Sequence, residues 1–188
     1  SQEISPWLSE FKNDMILNSA LFKKVKSVYE TREVLNLDSE QTMLLEKQYK
    51  GFSRNGANLS NEDKEKLRKI DTELSKLSLQ FGENVLADSN AFELHITDEK
   101  DLKGLPEGAK EAASLLARSR NKKGWLITLD YPSYIPFVTY AENRALRKKL
   151  AIAFGKKGFQ KNENNNEQVV LDIVNLRHQR ANLLGYKT

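Results

Sequence analysis

Leu67-Arg-Lys-Ile-Asp-Thr-Glu-Leu-Ser-Lys-Leu-Ser-Leu-Gln-Phe81 is the stretch of this 188-residue sequence that decides the fold class. Its apolar residues recur at intervals of three, four, three and four: Leu67, Ile70, Leu74, Leu77 and Phe81. This spacing places one apolar stripe along a long α-helix, which we expect to begin near Ser60. We interpret the stripe as the buried face of a helix in a bundle. The alternative is a coiled coil between chains, for which about two heptads are few.

Two helical regions are predicted before this helix. Residues 5–31 form one or two helices, because apolar residues recur there at helical spacing. Another helix begins near Asp38, which with Gln41 has the spacing of a capping box. It stops at Asn55-Gly56, because both residues tolerate a left-handed backbone. The isolated glycines are interpreted as helix terminators: Gly51, Gly56 and Gly82.

The period of the sequence changes from about 3.6 to two after this helical part. Phe92, Leu94 and Ile96 alternate with polar residues, which indicates a half-buried strand. A second strand is predicted at 125–130, and a helix from Glu107 to Arg120 lies between the two. The strands are expected to pair, because an isolated strand leaves backbone groups unsatisfied. The sequence does not fix their orientation.

Two more helices complete the predicted fold. Pro132 and Pro136 are interpreted as punctuation before a helix whose apolar face is Leu146, Leu150, Ala153 and Phe154, and which Gly155 and Gly158 end. A polar loop follows at 161–167. The last helix runs from Glu167 to Leu184 with these residues facing inward: Val170, Ile173, Val174, Ala181 and Leu184. The predicted fold class is mainly α, a single helical lobe over residues 1–188 with a small two-stranded β element.

Composition excludes several classes of protein. The chain has no cysteine, so disulfide bonds, thiolate metal sites and a cysteine nucleophile are impossible. No stretch approaches the roughly 18 apolar residues that span a bilayer, and residues 1–10 lack the features of a signal peptide. We therefore expect a cytoplasmic protein without a membrane partner. The oligomeric state does not follow from the sequence.

Few residues in the sequence suggest catalysis. Its two histidines, His95 and His178, lie far apart and neither begins a His-Glu-x-x-His motif. We interpret both as ordinary surface or hydrogen-bonding residues. The paired carboxylates Glu62-Asp63 and Asp98-Glu99 stand at helix starts, where they complement the helix dipole. The aromatic-rich segment 131–137 either stacks on a peptide or nucleic acid base, or fills the core where a strand turns into a helix.

The positive charge is concentrated in one region. Residues 118–161 carry 11 lysines and arginines against two acidic residues. Such a stretch attracts phosphates or acidic peptides, and nearby Trp125, Tyr131, Tyr134 and Tyr140 make a helical nucleic-acid-binding module the alternative function. The simpler interpretation is the solvated side of amphipathic helices.

Three segments in order resemble the thimet oligopeptidase-like family of zinc metallopeptidases, which includes oligopeptidase A and peptidyl-dipeptidase. One runs from Leu59-Ser60 through Phe81 to Leu105-Pro106. The second is Gly124-Trp-Leu-Ile-Thr-Leu-Asp-Tyr-Pro-Ser-Tyr-Ile-Pro136, followed by Asn143-Arg-Ala-Leu-Arg147. The third is Leu176-Arg177-His178 with Ala181-Asn-Leu-Leu-Gly-Tyr186. Together they cover nearly the whole chain.

This resemblance implies a mainly helical, two-lobed enzyme that cleaves short peptides in a deep channel. Family members hold zinc through His-Glu-x-x-His and a later glutamate, and these residues come downstream of the segments matched here. The resemblance therefore implies an internal fragment that forms a wall of the substrate channel. We expect zinc and short peptide substrates for the full-length parent, no nucleic acid partner, and no catalytic, cofactor-binding or metal-binding residue in this inactive fragment.

Overall fold

The computed structural model of the protein describes residues 4–188. Within that range the chain forms eight α-helices and one two-stranded sheet, which confirms the predicted fold class. The elements in chain order are α1 (Ile4–Ile16), α2 (Ser19–Glu30), α3 (Ser39–Arg54), α4 (Asn61–Ala91), β1 (Leu94–Ile96), α5 (Glu107–Ser119), β2 (Trp125–Ile127), α6 (Tyr131–Tyr140), α7 (Arg144–Gly155) and α8 (Glu167–Leu183). Short 3-10 turns lie at Arg32–Val34 and Glu99–Leu102.

The chain divides into two compact units. The first contains the described residues through Gln80 together with Val169–Thr188, and the second is Phe81–Gln168. Helix α4 contributes its first 20 residues to the first unit and the remainder to the second. The prediction of a single lobe over residues 1–188 stays a prediction.

Aromatic packing forms the core of the first unit. The Phe22 ring lies 5.9 Å from Tyr49 and 5.9 Å from Phe52, between centroids, which joins α2 to α3. Tyr29 stacks on Tyr49 at 3.9 Å. Large rings bury much apolar area for few residues, so this cluster gives the helix pair a shared core.

The apolar stripe of α4 faces inward, as a helix in a bundle requires. Leu67 is fully buried, and Ile70, Leu74, Leu77 and Phe81 are half-buried. Gly56 packs closely against this region, because a side chain added there would lie 2.7 Å from Leu67 and 3.3 Å from Leu184. With a φ of +96°, Gly56 also ends the preceding helix in the left-handed conformation expected for Asn55-Gly56.

The second unit is built around the two-stranded sheet. The strands are antiparallel, with Leu94 opposite Ile127 and Ile96 opposite Trp125. The core that covers them comes from α5, α6, α7 and the connecting turns, and its most buried members are Leu102, Phe137 and Leu150. Both strands are only three residues long: β1 is followed within three residues by the 3-10 turn Glu99–Leu102, and β2 is followed by a bend at residues 129–130, just before α6.

Several helix boundaries confirm the expected signals. The predicted capping box is complete: Gln41 N–H donates to Asp38 Oδ1 over 2.8 Å, and Asp38 N–H donates to Gln41 Oε1 over 3.2 Å. The helix predicted from Glu107 to Arg120 is α5, with Arg120 as its C-terminal cap. These signals succeed because each depends on residues within one turn of the helix end.

Other boundaries differ from the predictions. Gly51 and Gly82 do not terminate helices; they lie inside α3 and α4, where a glycine costs only about 1 kcal/mol relative to alanine. Pro132 and Pro136 precede α7, the helix with Leu146 and Leu150, but they lie in a further helix that was not predicted: Pro132 is in the first turn of α6 and Pro136 is inside it. Val174 was expected to face inward, yet it is 59% exposed on α8.

Candidate functional site

Neither histidine is part of a cluster suited to metal binding. His95 is exposed on β1, and its Nε2 lies 2.6 Å from the carbonyl oxygen of Lys123. Because a carbonyl oxygen only accepts hydrogen bonds, Nε2 is the donor. His178 is exposed on α8, and its Nε2 accepts from the Asn182 amide over 2.9 Å. Across residues 4–188, no three histidine or carboxylate side chains form a group that could hold a metal ion. The described residues therefore do not fit the zinc that the resemblance implies.

The paired carboxylates have local structural roles. Lys66 and the Ser60 hydroxyl hydrogen-bond to Asp63 and hold the pKa of its carboxyl below the usual value. Asp98 caps the 3-10 turn Glu99–Leu102 by accepting from Lys100 N–H over 3.0 Å. A general acid needs a raised pKa to keep its proton at neutral pH, and Asp63 shows the opposite.

The aromatic segment forms part of the second unit's packing and part of its surface. Phe137 is fully buried, whereas Tyr131 is 68% exposed. Tyr134 stacks on Phe154 of α7 with 4.1 Å between ring centroids, and Tyr131 meets the same ring edge-on at 5.8 Å. Lys157 Nζ lies 3.6 Å from the Phe154 centroid. Most of these rings are therefore engaged with one another and not held open for stacking on a ligand base.

A small apolar cavity of about 270 Å³ opens among α5, β2 and the start of α6. Its floor is aliphatic, from Leu105, Ala113, Leu116 and Ile127. The polar atoms at its edge already satisfy one another: Thr128 N–H donates to Ser133 Oγ over 3.0 Å, and Thr128 Oγ1 donates to Asp130 over 3.0 Å. The cavity is smaller than most ligand pockets and suits one apolar side chain.

A polar cleft of about 340 Å³ lies within the first unit, among α1, α4 and α8. Arg180 Nε donates to Asp71 Oδ1 over 2.7 Å at one side of it, and Ser5 and Ser75 hydroxyls share a 2.9 Å hydrogen bond. Among the described residues, the buried amide Nδ2 of Asn13 has no partner. No sequence motif indicates this cleft, because its residues come from segments as far apart as Ser5, Asp71 and Arg180.

Asp88 is a buried carboxylate that the sequence did not single out. It is 2% exposed and accepts from Gly158 N–H over 2.7 Å, from the Asn162 amide over 2.8 Å and from the Asn164 amide over 3.1 Å. Burial by itself raises the pKa of Asp88, but these hydrogen bonds outweigh burial and hold the pKa below its usual value.

A second buried side chain completes this network. Asn166 is fully buried, accepts from the Asn84 amide over 2.8 Å and donates to the Phe81 carbonyl over 3.2 Å. Its own N–H donates to Gly158 O over 2.7 Å. The asparagine-rich segment predicted as a polar loop is thus held to α4 at several points. This is a positioning role, since all of these donors and acceptors are used internally.

The basic stretch 118–161 separates into neutralised and free charges. Arg120 and Lys122 both pair with Glu93, and Arg147 donates to the carbonyl of Glu142 over 3.0 Å. No ion pair with any residue in the range 4–188 is formed by four cations on and just after α7: Arg144, Lys148, Lys149 and Lys156. Arg118 and Lys123 in this stretch also form no ion pair with a described residue, but most of the uncompensated charge lies on α7 and the residues just after it.

No helix in the described part of the chain combines the length and the apolar character needed to cross a bilayer. No protein-family profile matches the chain. Individual proteins do match it over nearly its full length. Oligopeptidase A of Escherichia coli is 31% identical over 190 residues, which is 99% of this chain and 28% of that protein. Oligopeptidase A of Haemophilus influenzae is 34% identical over 191 residues, 100% of this chain and 28% of that protein.

A differently named peptidase matches equally well. Dipeptidyl carboxypeptidase of Escherichia coli is 34% identical over 189 residues, 98% of this chain and 27% of that protein. The chain therefore spans a little more than a quarter of the length of the curated relatives it matches.

Proposed function

This chain belongs to the thimet oligopeptidase-like family that includes oligopeptidase A and dipeptidyl carboxypeptidase, and we propose that it is a segment of a zinc-dependent peptidase that hydrolyses short peptides, in which it forms a wall of the substrate channel. The observation that carries the proposal is the match itself, which extends over 98–100% of the chain for peptidases of two names. A shared local motif would produce a match over only part of the chain, whereas this match extends along the whole segment.

The residues of this segment indicate which role it has in the parent protein and which role lies in other parts of that protein. A catalytic zinc needs about three protein ligands and a group that activates water. Residues 4–188 offer no such ligand group, so we assign the chemistry to other parts of the parent protein. The contribution of this segment is then shape and charge: exposed helix faces, small cavities and an uncompensated basic surface.

The two peptidase subtypes are not separated by identity. One oligopeptidase A and one dipeptidyl carboxypeptidase are both 34% identical to the chain. Internal cleavage and release of C-terminal dipeptides therefore both remain within the proposal. A cytoplasmic location also stays a prediction.

The nucleic-acid alternative lacks a specific supporting observation. It relies on four aromatic residues near the basic stretch. Trp125 is half-buried against the core of the second unit and Tyr134 is stacked on Phe154, whereas Tyr131 and Tyr140 are exposed. A platform for nucleic acid bases needs rings that are open on one face. We therefore keep nucleic acid binding as an outcome to be measured.

The decisive experiment uses the full-length parent protein. Its reading frame is first searched for His-Glu-x-x-His, and the purified protein is then assayed with a panel of internally quenched peptides of about 6–12 residues. We expect hydrolysis that a zinc chelator abolishes and added zinc restores. The 188-residue chain alone is the matched control and should be inactive. A well-folded, zinc-loaded parent that cleaves no peptide in the panel, or a parent without the motif, would refute the proposal.

A further inference from the structure

The solvent face of α7 carries a row of cations with one apolar residue in it. Arg144, Lys148, Ile152 and Lys156 follow one another at intervals of four residues, and Lys149 lies beside the row. At 100° per residue these five positions occupy an arc of about 140°. All five are exposed, Ile152 at 47%, while Leu146, Leu150 and Ala153 on the opposite side pack toward the core. We call these five residues the α7 face.

The charge of the α7 face is not balanced nearby. Residues 144–161 contain seven lysines and arginines and no acidic residue. The nearest acidic residue before α7, Glu142, already pairs with Lys103 over 2.9 Å. Elsewhere in the second unit some positive charges are neutralised, as Arg120 and Lys122 are by Glu93 and Lys110 is by Glu107. Uncompensated like charges along one face repel each other and attract an anionic partner.

We propose that the α7 face binds an acidic peptide segment in extended conformation, and this inference rests on the proposed peptidase function. Four helical residues rise about 6 Å, and alternate residues of an extended peptide, whose side chains share one side, are about 6.7 Å apart. The two repeats therefore run nearly in step. Over the three intervals from Arg144 to Lys156 they diverge by roughly 2 Å, which flexible lysine stems absorb.

This geometry defines a preferred sequence. Alternate peptide residues meet Arg144, Lys148, Ile152 and Lys156 in turn, in one direction or the other. The peptide that satisfies the face carries acidic residues opposite the three cations and an apolar residue opposite Ile152. In the direction that begins at Arg144, the pattern is acidic–x–acidic–x–apolar–x–acidic, with x any small polar residue.

Ile152 is also the reason to choose a peptide over a nucleic acid strand. A nucleic acid backbone carries a phosphate at every nucleotide, so one charge would face an apolar side chain without a partner. No aromatic residue lies among the five positions of the α7 face to stack a base. A peptide places an apolar side chain opposite Ile152 and buries it against that residue.

The test measures binding to the chain directly. Fluorescein-labelled Glu-Ser-Glu-Ser-Leu-Ser-Glu is titrated with the 188-residue chain at low salt and followed by anisotropy. Two control peptides accompany it: Glu-Glu-Glu-Ser-Ser-Ser-Leu, which has the same composition, and Lys-Ser-Lys-Ser-Leu-Ser-Lys. We expect the alternating acidic peptide to bind several-fold more tightly than its rearranged form, the basic peptide not to bind, and added salt to weaken binding.

Variants locate the binding on the α7 face. Lys148→Glu/Lys156→Glu should weaken binding at least about five-fold, as expected when exposed ion pairs become like-charge contacts. The matched control Lys23→Glu/Lys47→Glu changes the net charge by the same amount at exposed helical positions of the first unit and should have a much smaller effect. Ile152→Lys should reverse the preference at the fifth peptide position from leucine to glutamate, a gain that a misfolded variant does not produce.

Contrary outcomes are well defined. Equal binding of the two acidic peptides, equal loss in both double variants, or tighter binding of a labelled thymidine heptamer than of the alternating peptide would each overturn the inference. The result is independent of catalysis: a parent protein that hydrolyses peptides while the chain ignores acidic ones refutes the α7 face alone. Binding by the chain combined with an inactive parent refutes the proposed peptidase function instead.

Discussion

Replacing Asp88 by alanine tests how the asparagine-rich segment is held. Asp88 lies on α4 and accepts hydrogen bonds from Gly158 N–H and from the amides of Asn162 and Asn164. The three donors come from the loop that separates α7 from α8. Removal of the carboxylate leaves all three without their acceptor, and we expect the second unit to lose stability and the loop to become more mobile.

The magnitude follows from the burial of each donor. The hydrogen bond from Gly158 N–H is buried, and an orphaned buried donor costs about 1–3 kcal/mol. Asn162 and Asn164 lie nearer the surface, where water replaces much of what is lost, so they add about 1 kcal/mol together. The alanine variant also avoids the cost of burying a charged carboxylate, and this offsets part of the lost stability. We expect Asp88→Ala to lower the free energy of unfolding by about 1–3 kcal/mol.

The assay is urea denaturation followed by the fluorescence of Trp125, in a Trp7→Phe background so that the signal comes from the second unit alone. Amide hydrogen exchange at Gly158 and Asn166 reports the local loss. The matched control is Glu163→Ala, which removes an exposed carboxylate from the same loop. If Asp88→Ala and Glu163→Ala shift the unfolding midpoint equally and leave exchange at Gly158 unchanged, the network does not hold the loop.

Four further predictions follow from single positions. Leu67→Ala should lower the free energy of unfolding of the first unit by about 2–5 kcal/mol, because Leu67 is fully buried; urea denaturation measures this. Gly124→Ala should lower the free energy of unfolding by more than about 2 kcal/mol, since Gly124 has a φ of +90° and a side chain there would lie 2.3 Å from the Ile96 carbonyl oxygen. Gly82→Ala, inside α4, should instead raise the free energy of unfolding by up to about 1 kcal/mol. Asp38→Ala should lower stability by about 1 kcal/mol through loss of the capping box. The pKa of Asp88 is lower in the folded than in the unfolded chain, so the ionised carboxylate stabilises the fold. This stabilisation is complete above about pH 5 and is lost as the pH falls through about 4 and below. In thermal unfolding between about pH 6 and 3, the melting temperature of Asp88→Asn should therefore fall less steeply with decreasing pH than that of the wild type.

Specific results would contradict these expectations. A Leu67→Ala loss below about 1 kcal/mol would mean that the stripe on α4 is not a packed core. Equal effects of alanine at Gly124 and Gly82 would show that the close approach to Ile96 is not maintained in solution. If Asp38→Ala leaves the free energy of unfolding unchanged, the capping box does not stabilise α3. If the wild type and Asp88→Asn lose stability equally at low pH, other carboxylates are responsible for the acid sensitivity.

Local signals account for what was predicted correctly about the fold. The 3–4 spacing of α4, the capping box of α3 and the left-handed stop at Asn55-Gly56 each depend on residues within a few positions of one another. Local geometry fixes such features before any tertiary contact forms. The existence of two strands is also visible within single segments: the first from alternation with a period of two, and the second from the apolar run that follows Gly124.

The same reasoning explains the errors. Proline inside the segment 131–140 argued against a helix, yet α6 forms there because its apolar side chains, Phe137 above all, bury against the core. Pro132 costs little in the first turn, where its missing N–H has no helical partner anyway. The prediction that Gly51 and Gly82 terminate helices is wrong because a glycine in mid-helix carries only a small free-energy penalty, which the rest of α3 and α4 outweighs.

The sequence by itself determined the helical class, most helix ends, the presence of a small sheet and the family to which the chain belongs. Tertiary structure alone decided the antiparallel register of β1 and β2, the burial of Asp88 beneath its asparagine donors and the pairing of Arg180 with Asp71. It also decided which of the basic residues in 118–161 are neutralised and which remain free on α7. The reason is physical. Periodicity and capping act within about one or two helical turns. The hydrogen bonds and ion pairs named here join residues 27 to 109 positions apart and exist only after folding has brought those residues together.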